Sequence, residues 1–338
     1  MVIRFCSPLR LTGLLALCTA LLFALVIASP AGARGSQQHR SQAVERSHHA
    51  SWFPPHVPLP HPPLVAPTYL ALGDSLAFGY SQAKFNSLYP EENPAAYDTG
   101  YVDDFARVLK LFQPRLQVIN DGCPGETTDS FIKGPCEYQL AFPLHHPYSG
   151  GPASSQLSDA LAYLNAHPGS VSPITLDIGA NDALGLIEGT CKLEPACIAK
   201  GAPAVFAHIG ANLGLILGQL RAAAPHAQII VLGLYNPFGA TIAGADELTA
   251  ALNEVEAGVA ASVGARFADP LPIFNPPGAL QAPTICLLTN MCTPLVDIHP
   301  TDLGYGALAG VILHQYVLGL PAAQQEPWHG VAIGPDGI

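Results

Sequence analysis

The chain is 338 residues long, 49% hydrophobic and only 12% charged, with a formal net charge of −11 at pH 7 and a positive mean hydropathy of +0.29. This length allows two small domains or one large one, and the composition is ample for a large core. The acidic balance speaks against a sequence-independent grip on nucleic acid or on an anionic membrane surface.

The N-terminus reads as an export signal over residues 1–33. Arg4 and Arg10 form a basic start, an apolar stretch runs from Leu11 to Ala28, and Ala31-Gly32-Ala33 matches a small-x-small cleavage site. A retained anchor is the rival reading, since the apolar stretch is close to spanning length. The small-residue site favours cleavage near Ala33, which makes the protein secreted with no stable membrane insertion. Cys18 is a poor lipoprotein site because the bulky Leu17 precedes it. Residues 34–66 turn to Ser, Gln, His and Pro, with Pro-Pro at 54–55 and 62–63, and are expected to be an unfolded linker.

Strands and helices then alternate. Tyr69–Leu72 is the first strand, Tyr101–Phe112 a helix by its apolar period, and Leu116–Asn120 the second strand. Leu157–Leu164 is a short helix, and Pro168-Gly169 breaks the chain before a third strand at Ile174–Ile178. Val205, Ile209, Leu213, Ile216, Leu217 and Leu220 mark a long core-facing helix, followed by the buried strand Ile229–Leu234. Thr249–Val263 is helical, Ala265–Ala268 a fifth strand and Tyr305–Leu318 the last helix. Near-continuous apolar strands between helices predict a parallel sheet covered on both faces. The folded domain is placed at 67–320 and a polar tail at 321–338, lying on the surface or disordered, with Trp328 its one large anchor. Residues 129–155 and 275–296 are long, rich in Pro and Gly, and read as loops over a site.

Beyond the signal, six cysteines remain: Cys123, Cys136, Cys191, Cys197, Cys286 and Cys292. Six allow about fifteen connectivities, so sequence alone leaves the pairing open. Pairing within neighbouring couples is the simplest proposal for an oxidising compartment. A zinc site is the competitor, but no C-x-x-C spacing is present.

Chemistry concentrates at strand ends. Gly73-Asp74-Ser75-Leu76 follows the first strand and opens a helix, where backbone N–H groups are unpaired and can bind a developing oxyanion. Taken alone, Asp74 or Ser75 could simply cap that helix. The second strand ends in Asn120-Asp121-Gly122-Cys123-Pro124-Gly125, where Gly125 can offer an N–H without an obstructing side chain. The third ends in Gly179-Ala180-Asn181-Asp182, where Asn181 can offer its amide. In Asp297-Ile298-His299-Pro300 a carboxylate sits two residues before an imidazole, on the same side of an extended segment. Ser75, His299 and Asp297 thus supply a nucleophile, a base and an orienter, while Asp177 and Asp182 are assigned to holding loop geometry. The other histidines in the domain are read as surface or packed residues.

These four ordered blocks resemble the SGNH/GDSL hydrolase superfamily, over about residues 67 to 320, and within it the secreted bacterial esterases and lipases with three disulfides. The resemblance implies a three-layer α/β/α sandwich, flavodoxin-like, with a five-stranded parallel sheet. It also implies a serine ester hydrolase with catalytic Ser75, His299 and Asp297 and an oxyanion hole of Ser75, Gly125 and Asn181. No Gly-x-Ser-x-Gly occurs, which excludes the ordinary α/β-hydrolase elbow. No cofactor and no metal are expected, since hydrogen-bond donors would stabilise the oxyanion. The expected partner is a small-molecule or lipid ester, with no nucleic acid, and the protein is expected to be a monomer. The alternatives are a carbohydrate O-acetylesterase on the same fold and a non-catalytic wall- or carbohydrate-binding protein.

Overall fold

The computed structural model describes residues 66–328. The expected signal segment, nearly all of the expected linker and the end of the tail (329–338) lie outside the described residues. Five parallel strands form one sheet: β1 (Thr68–Gly73), β2 (Gln117–Asn120), β3 (Val171–Asp177), β4 (Ile229–Leu232) and β5 (Arg266–Ala268), in the spatial order β2-β1-β3-β4-β5. The first strand therefore lies between the second and the third, and their carboxyl ends form one edge, where open α/β sheets place ligands.

Twelve α-helices connect and flank the strands among the described residues. They are α1 (Ser75–Phe78), α2 (Gln82–Leu88), α3 (Tyr101–Leu109), α4 (Thr128–Lys133), α5 (Gln156–Ala166), α6 (Ala180–Leu184) and α7 (Pro195–Ala223). Then come α8 (Ala245–Ser262), α9 (Leu271–Phe274), α10 (Gln281–Leu288), α11 (Asp302–Gly319) and α12 (Ala322–Gln325). The strand pleat sorts the core into two halves. Tyr69 and Ala71 of β1, with Ile230 and Leu232 of β4, pack under α3 and α11. Leu70, Leu72, Ile229 and Val231 face the other way, under α5, α7 and the Ala260 end of α8. This is the three-layer sandwich expected from sequence. By length and composition α7 could cross a membrane. Its Leu213, Ile216, Leu217 and Leu220 instead cover the sheet.

The differences from the sequence reading are local. The supposed loops 129–155 and 275–296 contain most of α4, a 3₁₀ turn at Tyr138–Leu140, and α10 between two further 3₁₀ turns. Thr127 caps α4 by accepting from the Ser130 N–H at 3.1 Å, and α10 buries Ile285 and Leu288. The cysteines pair locally, Cys123–Cys136, Cys191–Cys197 and Cys286–Cys292, with Cα separations of 6.5, 5.5 and 5.1 Å that suit a bridge. Packing also continues past residue 320. Trp328 is 4% exposed and its ring lies 3.9 Å from Phe112 and 5.4 Å from Tyr316, so the described part of the tail belongs to the core under α3 and α11. Trp328→Ala should therefore cost about 3 kcal/mol, the usual loss for truncating a buried aromatic. Urea unfolding checks this, and a loss within experimental error would show that the anchor is idle.

Candidate active site

The turn after β1 is shaped by close packing against β3. Gly73 has φ +143, and a Cβ there would come within 2.5 Å of Asp177. Asp177 accepts from the N–H groups of Asp74 (3.1 Å) and Ala77 (3.3 Å) and from the Tyr101 hydroxyl (2.5 Å). Asp74 caps α1 through the Leu76 N–H at 3.0 Å. Ser75 is left as the first residue of α1, and its backbone N–H has no acceptor among the described residues.

His299 reaches the turn from the segment before α11. Its Nε2 lies 3.0 Å from Ser75 Oγ, and its Nδ1 lies 2.5 Å from Asp297 Oδ1. The other carboxylate oxygen of Asp297 accepts the Gln82 N–H, at the start of α2, at 3.0 Å. Burial is the largest effect on the Asp297 carboxyl and opposes its ionisation. Hydrogen bonds from the His299 ring and from the Gln82 and His299 N–H groups, with the imidazole charge, together outweigh it and hold the pKa below the ordinary value. Asn290 fixes the segment from outside, donating its N–H and amide to His299 O at 2.9 and 3.1 Å and its amide to Pro300 O at 2.9 Å. Asn290 lies between Cys286 and Cys292, so that disulfide closes the loop that carries it. Tyr235 donates to Ile298 O at 2.8 Å, and the Tyr80 ring packs 4.8 Å from the imidazole.

The remaining predicted donors come from β2 and β3. Gly125 has φ +83, a conformation that favours glycine, and its N–H also lacks an acceptor among the described residues. A Cβ there would meet nothing within 4 Å. Asn181 lies in the first turn of α6 and donates to Glu126 O at 2.9 Å and to Asp74 Oδ2 at 3.3 Å. It therefore ties the Gly125 segment to the Ser75 turn. Asp182 accepts from the N–H and hydroxyl of Thr128 at 2.9 and 2.7 Å. Together with Asp177 it has the geometric role expected of it.

Sequence reasoning missed Gln156 and Glu126, both buried between the Ser75 and Gly125 segments. Gln156 could have been noticed as a lone amide at i with Ala160 and Leu164 at i+4 and i+8, all buried positions of one helix face. It also missed Glu256, fully buried on α8, whose oxygens have no hydrogen-bond partner among the described residues. Its Oε1 would lie 3.1 Å from a Cβ at Gly179.

The model of the GDSL-like lipase/acylhydrolase family matches residues 71–307, and the chain belongs to that family. It is an ester-hydrolysing enzyme of the esterase/lipase type. No curated protein sequence matches it. Among solved structures it is similar to an extracellular lipase from Streptomyces rimosus, at 20% identity over 74% of this chain and 100% of that one, with a TM-score of 0.51. At that identity the likeness is one of fold. A phospholipase A1 from Streptomyces albidoflavus is matched at 20% identity over 74% and 99% of the two chains, with a TM-score of 0.49. An acetylxylan esterase from Geobacillus stearothermophilus is matched at 17% identity over 77% and 97%, also at 0.49.

Burial pushes the Glu256 carboxyl well above its ordinary value, and the charges of Asp74 and Asp182 push it further. A carboxyl whose folded pKa is raised contributes its full stability below the unfolded value and loses it as pH rises towards the folded one. Glu256→Gln cannot ionise, so its melting temperature should gain on that of the wild type between pH 5 and pH 8. An offset constant across that range would show that Glu256 is not held neutral.

Proposed function

We propose that the protein is a secreted serine carboxylic ester hydrolase acting on neutral esters with short to medium acyl chains. The observation that carries the reading is the relay Ser75 Oγ–His299 Nε2–Asp297, with hydrogen-bond distances of 3.0 and 2.5 Å, beside two free backbone N–H groups. His299, oriented by Asp297, takes the Ser75 proton as the hydroxyl attacks the ester carbonyl. The oxyanion is received by the N–H groups of Ser75 and Gly125 and by the Asn181 amide, which gives up its long 3.3 Å contact with Asp74. His299 then protonates the leaving alcohol, and water repeats the cycle on the acyl-enzyme. The acidic net charge and the absence of an arginine cluster in the sequence favour a neutral substrate.

The acyl chain has an aromatic surface beside the imidazole. Ring centroids step from Tyr80 to Tyr138 (6.5 Å), to Phe142 (5.0 Å) and to the exposed Tyr89 (6.2 Å). Phe142 also lines a cavity of about 290 Å³ with Leu140, Pro143 and Leu144. Such apolar lining suits an alkyl chain. By contrast Phe274 is fully buried and stacks at 4.3 Å on Tyr235, which packs against the core. Three local disulfides fit an oxidising, extracellular destination.

Ser75→Ala should abolish hydrolysis while leaving the melting temperature near that of the wild type. Across p-nitrophenyl esters from acetate to palmitate, wild-type kcat/KM should peak at short to medium chains. Rates that climb to the longest triacylglycerols would overturn the chain-length assignment. Activity confined to acetylated xylan would make the enzyme a sugar deacetylase instead.

A further inference from the structure

Two buried polar side chains lie between the Ser75 turn and the Gly125 segment, and the mechanism above gives neither a role. Gln156, fully buried on α5, accepts the Gly73 N–H at 2.6 Å through Oε1. Its Nε2 donates to Gly73 O at 2.9 Å, to Tyr148 Oη at 2.9 Å and to Glu126 Oε2 at 3.2 Å. The amide thus clamps both backbone groups of the residue two before Ser75, and the same amide reaches the residue after Gly125. Glu126 completes the link from the other side, because its backbone carbonyl accepts the Asn181 amide at 2.9 Å. The Cys123–Cys136 bridge and the Cys123 N–H bonded to Gly73 O at 3.1 Å close the unit. A surface turn would need no such arrangement. Burying an amide and a carboxyl is costly unless their hydrogen bonds are made.

We propose that Gln156 and Glu126 are positioning residues that hold the Gly125 N–H and the Asn181 amide in register with Ser75. This rests on the roles given above to Ser75, Gly125 and Asn181. The surroundings of Glu126 disfavour its charged form. Its Oε1 has no hydrogen-bond partner among the described residues, and the charges that act on it, Asp74 on the α1 turn and Asp182 on α6, are both negative. Ser130 on α4, Tyr148 and Gln156 are its uncharged polar neighbours. Burial pushes its carboxyl up to about 7, against the hydrogen bonds from Ser130 and Gln156. Because Gln156 bonds to Gly73 and not to substrate, its removal should shift oxyanion donors without altering ground-state binding. The signature is a loss in kcat with KM retained.

The test uses the full chain with p-nitrophenyl butyrate as substrate and butaneboronic acid as a tetrahedral analogue of the oxyanion state. Gln156→Met and Glu126→Ala should each lower kcat roughly 10- to 100-fold, the scale of a sub-ångström to ångström displacement. KM should stay within about threefold, and the boronate inhibition constant should rise in step with the loss in kcat. Glu126→Gln, which keeps the shape and an acceptor for Gln156, should recover most of the kcat lost in Glu126→Ala. Folded variants with wild-type kcat, a KM that rises in place of the kcat loss, or a Glu126→Gln as impaired as Glu126→Ala would each overturn the proposal. If Gln156→Met fails to fold, the two Glu126 variants decide it alone. Activity persisting in Ser75→Ala would overturn the functional reading itself, an outcome separate from failure of the clasp.

Discussion

The hydrogen bond between Ser75 Oγ and His299 Nε2 joins segments 224 residues apart, and much of the surrounding structure restrains one end of it or the other. On the serine side, Asp177 of β3 gathers the N–H groups of the turn and Gln156 grips Gly73. On the histidine side, Asn290 and Tyr235 hold the backbone carbonyls at 298, 299 and 300. Asp297 holds the ring while itself bonded to the Gln82 N–H of α2. Each anchor comes from a different element, so a displacement of one is opposed by the others. This is the preorganisation that a proton relay and an oxyanion site need.

That arrangement gathers acids in a dry place. Asp74, Glu126, Asp177 and Glu256 are all buried near the carboxyl ends of the central strands, and no lysine or arginine is among the groups that act on them. Burial raises the pKa of every one, and Asp177 is pushed further by the charge of Asp74. Asp297 is the exception because the His299 ring hydrogen-bonds to it directly, in addition to the imidazole charge and two backbone N–H groups. The contrast separates the carboxylate hydrogen-bonded to the His299 ring from Asp74, Asp177 and Glu126, which hydrogen-bond the loops, and from Glu256, whose oxygens have no partner among the described residues. A carboxyl whose pKa is raised by folding contributes less stability as pH rises through its titration.

Much of this was legible in the sequence because the relevant signals are local. The apolar runs at Tyr69–Leu72 and Ile229–Leu232 give the buried strands, and the Asp297-x-His299 spacing alone places a carboxylate beside the imidazole. What stayed hidden depends on tertiary neighbours. Helix α2 buries no residue completely, so it carries no apolar period to read. Helix α10 lies in a stretch punctuated by proline and glycine that reads as loop. The parts of Gln156 and Glu126 exist only once β1, α5 and the Gly125 turn meet, and no spacing along the chain encodes that meeting. In the sequence Trp328 is the one large side chain of a polar tail, and only the folded chain shows its ring against Phe112.

The most direct test of the account is a crystal structure of the enzyme inactivated by an alkyl phosphonate. The phosphorus should be bonded to Ser75 Oγ, with one phosphonyl oxygen within hydrogen-bond distance, about 3 Å, of the Ser75 N–H, the Gly125 N–H and Asn181 Nδ2, and with His299 still on Asp297. An adduct on another residue, or a phosphonyl oxygen turned away from all three donors, would contradict it.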